Sequence, residues 1–237
     1  MLTLRKRDDR GHLNHGWLDT HHTFSFGSYH DEDHMGFRDL RVINEDVVAP
    51  GAGFPTHGHR DMEIVTVVLQ GGLRHQDSMG NGEVIRPGEV QRMSAGRGIL
   101  HSEFNSSNQE PVHLLQIWVL PEKTGDRPSY EQREFLDEEL AGRLAPIVTP
   151  NGAGGTVSIG QDVRILRGKL AAGDTAQHTL APGRHAWVQV AAGSLEVSGT
   201  SGASVKLRAG DGLAVSDEAT LTLIASDAAD VLVFDLA

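Results

Sequence analysis

His57-Gly58-His59 and His101-Ser102-Glu103 each place two metal-capable side chains at positions i and i+2. On a β-strand, residues two apart face the same side. If the two segments lie on neighbouring strands, three imidazoles and one carboxylate aim at one point. Such a set carries one negative charge, so a divalent ion within it keeps a net positive charge and stays Lewis acidic. Nitrogen and oxygen donors without thiolate suit Fe(II), Mn, Co, Ni, Cu(II) or Zn. Four protein ligands on a six-coordinate ion leave two open positions, enough for a bidentate organic substrate or for a substrate together with O2. A closed tetrahedral zinc would instead be structural. Glu63 competes for the fourth position, because it shares parity with His57 and His59 on an unbroken strand. Glu103 is preferred, since His101 ties it to the same short segment.

The rest of the composition narrows the function classes. The chain has 237 residues, 38% of them hydrophobic and 22% charged, and a formal net charge of −11. That length and balance suit one large or two ordinary globular domains. An acidic chain gains nothing from the charge of a phosphate backbone, so direct nucleic-acid binding is not expected. With no cysteine, disulfides, zinc–thiolate sites and iron–sulfur clusters are excluded. The N-terminal MLTLRKRDDRGH lacks an apolar targeting segment, and no run reaches membrane-spanning length. A cytoplasmic monomer is the expectation.

The ligand segments sit in a β-rich pattern. Leu40–Asn44, His57–Leu69, Leu73–Asp77, Glu83–Arg86, Val90–Met93 and Val112–Leu120 read as strands separated by glycine-bearing turns. Strands at such spacing indicate a jelly-roll sandwich or barrel. Residues 1–36 hold six of the thirteen histidines, namely His12, His15, His21, His22, His30 and His34. This stretch is expected to be a polar loop over a barrel mouth, with a second metal site or a lid as the functional alternative. Residues 121–145 break the rhythm, and SYEQREFLDEELAGRL predicts a short helix within an inter-domain connection.

A shift of 122 residues superposes the second half on the first. Gly51 falls on Gly173, Gly71 on Gly193, Leu73 on Leu195, Gly88 on Gly210 and Glu89 on Asp211. Turns recurring at one offset imply the same hairpin scaffold twice. The fold class is therefore all-β, two tandem barrels, with domains at 1–125 and 151–237 and a linker at 126–150. The same shift places Thr179, Ala181, Leu223 and Ala225 where the first half has its four candidate ligands. The second barrel is expected to lack a metal, and His178 and His185 lie on opposite faces of a regular strand.

The segment Gly51-x5-His57-x-His59-x3-Glu63 resembles the first cupin motif, and Gly98-x2-His101-x3-Asn105 the second. More narrowly, HTFSFGSYHDEDHMGFRDLRVINEDVVAPGAGF, HGHRDMEIVTVVLQG and HQDSMGNGEVIRPGEVQRMSAGRGILHSEFN are similar to the pirin family of bicupins, over residues 22 to 121. The resemblance implies a single metal, usually iron, on His57, His59, His101 and Glu103, and a degenerate second cupin. Bacterial members are similar to quercetin 2,3-dioxygenases. That likeness implies a flavonol and O2 as substrates, Glu103 or a metal-held base for the 3-hydroxyl proton, and ring opening with loss of carbon monoxide. Animal members resemble non-catalytic nuclear cofactors, which implies the alternative of a metal-binding regulator acting through protein partners.

Overall fold

The computed structural model describes residues 1–237 and divides them into two compact units. The first comprises residues 11–134 and 151–161, the second residues 1–10, 135–150 and 162–237. This division differs from boundaries at 125 and 150, and strand pairing is the reason. Leu2–Arg5 runs antiparallel to Gly212–Val215, from Leu2 opposite Val215 to Arg5 opposite Gly212. The first ten residues therefore belong with the C-terminal half.

In the first unit the larger sheet has the strand order Ser129–Glu134, Glu89–Ser94, Glu63–Gln70, Val112–Val119, Leu40–Val48, Leu18–His22, Gly11–Asn14. The smaller sheet has the order Gly53–His59, Ile99–Asn105, Leu73–Asp77, Gly82–Ile85. Two expectations change here. The histidine-rich N-terminal stretch is in part sheet rather than loop, because Leu18, Thr20 and His22 alternate as buried residues with the more open Asp19 and His21. That alternation is what a half-buried strand requires. The stretch expected to be helical begins as a strand, Ser129–Glu134, laid along Glu89–Ser94. Only Asp137–Leu140 is helical. An unpaired sheet edge offers a row of backbone donors and acceptors, and it outweighs the modest helix propensity of Glu, Gln and Arg.

The second unit repeats the plan. Its larger sheet runs Leu2–Arg5, Gly212–Val215, His185–Ala192, Ala229–Leu236, Val163–Leu170, Ala145–Pro150. Its smaller sheet runs Thr175–Thr179, Thr220–Ala225, Ser194–Gly199, Ser204–Arg208. Glu63–Gln70 and His185–Ala192 are related by the 122-residue shift at both ends. Gly71 and Gly193 both take left-handed backbone, with φ of 80° and 75°. A Cβ on Gly193 would also lie 2.0 Å from the Ala228 carbonyl oxygen, so this turn demands glycine on two counts.

The two interiors differ. Leu221, Leu223 and Ala225 are buried in one aliphatic cluster with Val188, Val190, Val197, Leu207 and Val231. Strand pairing corrects the 122-residue shift here: Leu221 and Leu223, opposite Gly199 and Val197, occupy the positions that His101 and Glu103 hold opposite Asp77 and His75, Ala225 answers to Asn105, and Ala181 is exposed at the surface. His178 Nε2 lies 2.8 Å from Asp235 Oδ2, and His185 Nδ1 lies 2.8 Å from Ser216 Oγ. Each of these two histidines is thus committed to a separate partner.

One carboxylate fastens the chain start to the second unit. Glu218 accepts hydrogen bonds from Ser201 Oγ at 2.6 Å, Ser201 N at 2.9 Å, Thr200 Oγ1 at 2.9 Å and the N-terminal amine at 3.2 Å. The Ser201 hydroxyl, with its other donors, pulls the Glu218 carboxyl from 4.5 down to about 2. A depressed carboxyl stabilises the fold above its ordinary value and loses that contribution as pH falls from 4.5 towards 2. We expect Glu218→Gln to lower the melting temperature at pH 7, with the gap to the wild type closing across that acid window. Thermal melts at pH 7 and pH 3 check this; a gap independent of pH would contradict it.

Candidate metal centre

The smaller sheet of the first unit places the predicted ligands. His57 stands directly opposite His101 across the antiparallel pair Gly53–His59 and Ile99–Asn105. Beyond it the register shifts, and Glu103 faces Phe54. The extra residue on Gly53–His59 is a β-bulge, which bends that strand and re-aims its side chains. Gly53 permits the close approach, since a Cβ there would lie 2.2 Å from the Glu103 carbonyl oxygen.

Three imidazoles converge. The ring centroids of His57 and His101 are 4.4 Å apart, and His59 lies 4.8 Å from each. His57 Nε2 and His101 Nε2 face one another at 3.0 Å. One ligand atom from each of the three lies within 4.8 Å of the others. His57 Nδ1 stands 2.8 Å from the Pro55 carbonyl oxygen. A carbonyl accepts and cannot donate, so Nδ1 carries the proton and Nε2 presents its lone pair. Burial, with the neighbouring His57, drives His59 down to about 4. Burial and the surrounding rings drive His101 to about 2. The His59 and His101 imidazoles are therefore neutral at neutral pH, the state that ligates.

Glu103 lies deeper. Its side chain joins His101 and His75 in a second, overlapping cluster of buried donors. Gln116 Nε2 donates to both carboxylate oxygens at 3.1 Å, and Thr66 Oγ1 donates to Gln116 Oε1 at 2.8 Å. The threonine hydroxyl thus fixes which end of the amide meets the carboxylate. Burial pushes the Glu103 carboxyl up to about 7, against the pull of Gln116 and with a push from Asp46. Trp118 meets the His59 ring nearly at right angles, with centroids 4.9 Å apart, and packs on Ile64, Met93 and Ile99.

Glu63, the competing ligand, is elsewhere. It accepts a hydrogen bond from Ser94 Oγ at 2.8 Å and lines a separate polar cavity of about 640 Å³ with Arg92, Ser129, Glu131 and Ser158. The turn at residues 60–62 ends the first strand before Glu63, so parity does not carry across it. His75 is the residue that spacing missed. It sits directly opposite Glu103, is fully buried, and stacks on Tyr130 with centroids 5.0 Å apart. Its signal was present as His75-Gln76-Asp77, a third i, i+2 pair, with Asp77 directly opposite His101.

A divalent ion fits these residues. The donors are nitrogen and oxygen only, the Nε2 atoms of His57 and His101 face one another at 3.0 Å, and one ligand atom from each of His57, His59 and His101 lies within 4.8 Å of the others. The crowding of three imidazoles is otherwise uncompensated.

The family model described as Pirin matches residues 3–119, and that described as Quercetinase C-terminal cupin domain matches residues 146–236. The chain belongs to the pirin family. It is 47% identical over 236 residues to the quercetin 2,3-dioxygenase of Escherichia coli (strain K12), covering 100% of this chain and 99% of that one. It is 38% identical over 238 residues to a pirin-like protein of Caulobacter vibrioides, with both chains covered in full. Among solved structures it is similar to the bacterial pirin YhhW of Escherichia coli in complex with nickel(II). There the TM-score is 0.93 at 46% identity, covering 100% of this chain and 99% of that one. The two-cupin plan read from the 122-residue repeat is the plan of this pirin family member.

Gln116 orients Glu103 without being a candidate ligand itself. We expect Gln116→Leu to weaken divalent-ion affinity about 10- to 100-fold, the usual effect of removing such a partner. Competition against a chelator measures this, and unchanged affinity would contradict the role.

Proposed function

We propose that this chain is a metal-dependent dioxygenase of the quercetin 2,3-dioxygenase kind. It opens a flavonol ring with O2 and releases carbon monoxide. One observation carries the reading: three imidazoles meet beside a buried carboxylate that Gln116 and Thr66 hold in one orientation. The names of the relatives support it. His57, His59, His101 and Glu103 hold the ion, and Fe(II) heads the candidates that the donor set suits.

A bound divalent ion supplies Lewis acidity toward the ionised 3-oxygen of a flavonol. The protein's own groups do the rest. Glu103 takes the 3-hydroxyl proton at a carboxylate oxygen, and Gln116 Nε2 keeps that carboxylate in place. Trp118, which meets the His59 ring, joins Ile64, Met93 and Ile99 in an apolar cluster on one side of the site. Apolar surface there excludes water and strengthens the interaction of the flavonolate anion with its surroundings. O2 adds across C2 and C4, and the ring opens as carbon monoxide leaves.

The test is aerobic turnover of quercetin by protein loaded in turn with Fe(II), Ni(II), Cu(II) and Mn(II). Flavonol absorbance, O2 uptake and carbon monoxide are followed together. We expect turnover in the wild type and none in His57→Ala. Glu103→Gln, assayed with its ion retained, should lose about 100- to 10,000-fold in kcat, the range of a general base. No turnover with any ion would defeat the enzyme reading and favour a metal-binding regulator.

A further inference from the structure

A second group of donors lies outside the chamber, on the hairpin of Gly11–Asn14 and Leu18–His22. His12 pairs with His21, and Asn14 with Asp19. The bond from His15 N to Leu18 O makes that turn-proximal pair hydrogen-bonded. Alternation then makes the 14–19 and 12–21 pairs non-hydrogen-bonded, the kind in which facing side chains stand closest. His12, Asn14, Asp19 and His21 all share one face of the hairpin.

On that face the rings of His12 and His21 stack, with centroids 4.2 Å apart and planes 14° from parallel. Both address one oxygen. His12 Nε2 is 2.8 Å and His21 Nδ1 is 3.8 Å from Asp19 Oδ1. Donors held ~2.1 Å from one ion stand ~3.0–3.4 Å apart, and the two observed spacings bracket that range. One ligand atom from each of the three residues lies within 4.8 Å of the others. His12 and Asp19 are about half-exposed, at 52% and 41%, whereas His21 is 12% exposed. Solvent can therefore fill the remaining coordination positions.

We propose that His12, Asp19 and His21 form a second metal site that is separate from the catalytic chamber. Two imidazoles and one carboxylate select a borderline divalent ion such as Ni(II), Cu(II) or Zn(II) over Mg(II) or Ca(II). The site is open and three-coordinate from the protein, so it binds more weakly than a buried set and exchanges freely. Gly11–Asn14 is the edge strand of its sheet. An ion there ties the edge strand to Leu18–His22, its one neighbour in the sheet.

Ni(II) titrated into the metal-stripped chain, followed by calorimetry and by counting bound ions, tests this. The expected result is two ions per wild-type chain. His12→Ala with His21→Ala should lose the weaker ion and keep the tighter one, and His57→Ala with His59→Ala should do the reverse. Asp19→Asn keeps a hydrogen-bonding side chain and should weaken only the second event, so the answer does not depend on the double variant folding. Ni(II) should also raise the melting temperature of His57→Ala/His59→Ala protein, and that rise should vanish once His12 and His21 are replaced. A single ion on the wild type that the hairpin variants do not affect would overturn the proposal. So would a second ion that survives both hairpin variants. Loss of quercetin turnover has no bearing on either outcome.

Discussion

The register between Gly53–His59 and Ile99–Asn105 is the constraint on which the site depends. With His57 opposite His101, period-two alternation carries His59 and Glu103 to the same face, and the neighbouring strand adds His75 and Asp77. A slip of one residue between these two strands would turn His57 and His59 away from the face that holds His101 and Glu103. The bulge after His101 and the close pass of Gly53 over the Glu103 backbone pin that register. Burial then does the electrical work, holding the His59 and His101 imidazoles neutral and raising the carboxyl to about 7.

Much of this was legible in the residues. The i, i+2 pairs state which side chains share a face once both segments are strands, and the 122-residue repeat states that the scaffold occurs twice. Other features depend on tertiary structure. Glu63 has the right parity on paper, yet the turn at residues 60–62 resets it, and the side chain bonds Ser94 in another cavity. His75 carries the same spacing signal as the ligands, but its place opposite Glu103 comes only with sheet order. Ser129–Glu134 has a helical composition and becomes a strand because Glu89–Ser94 offers it an edge. Leu2–Arg5 pairs with a strand 210 residues further along, and no local pattern announces that.

The two barrels provide an internal comparison. The second keeps the strand order and the left-handed turn at Gly193, yet fills the place of His101 and Glu103 with Leu221 and Leu223. Aliphatic packing is therefore sufficient for this scaffold. In the first barrel the equivalent space holds polar, mutually crowded groups, with the Nε2 atoms of His57 and His101 turned on one another and the Glu103 carboxylate buried beside them. Burial of that kind is costly unless a partner satisfies the group. The partner that three imidazoles and a carboxylate have in common is a cation.

The central claim is that this crowding is resolved by one ion. Anomalous diffraction from crystals of the metal-loaded chain, collected at the absorption edge of the ion, tests it most directly. The account predicts a peak within bonding distance of His57 Nε2, the His59 and His101 imidazoles and a Glu103 oxygen. A chamber with no peak, or an ion bound elsewhere while these three rings remain packed on one another, would contradict it.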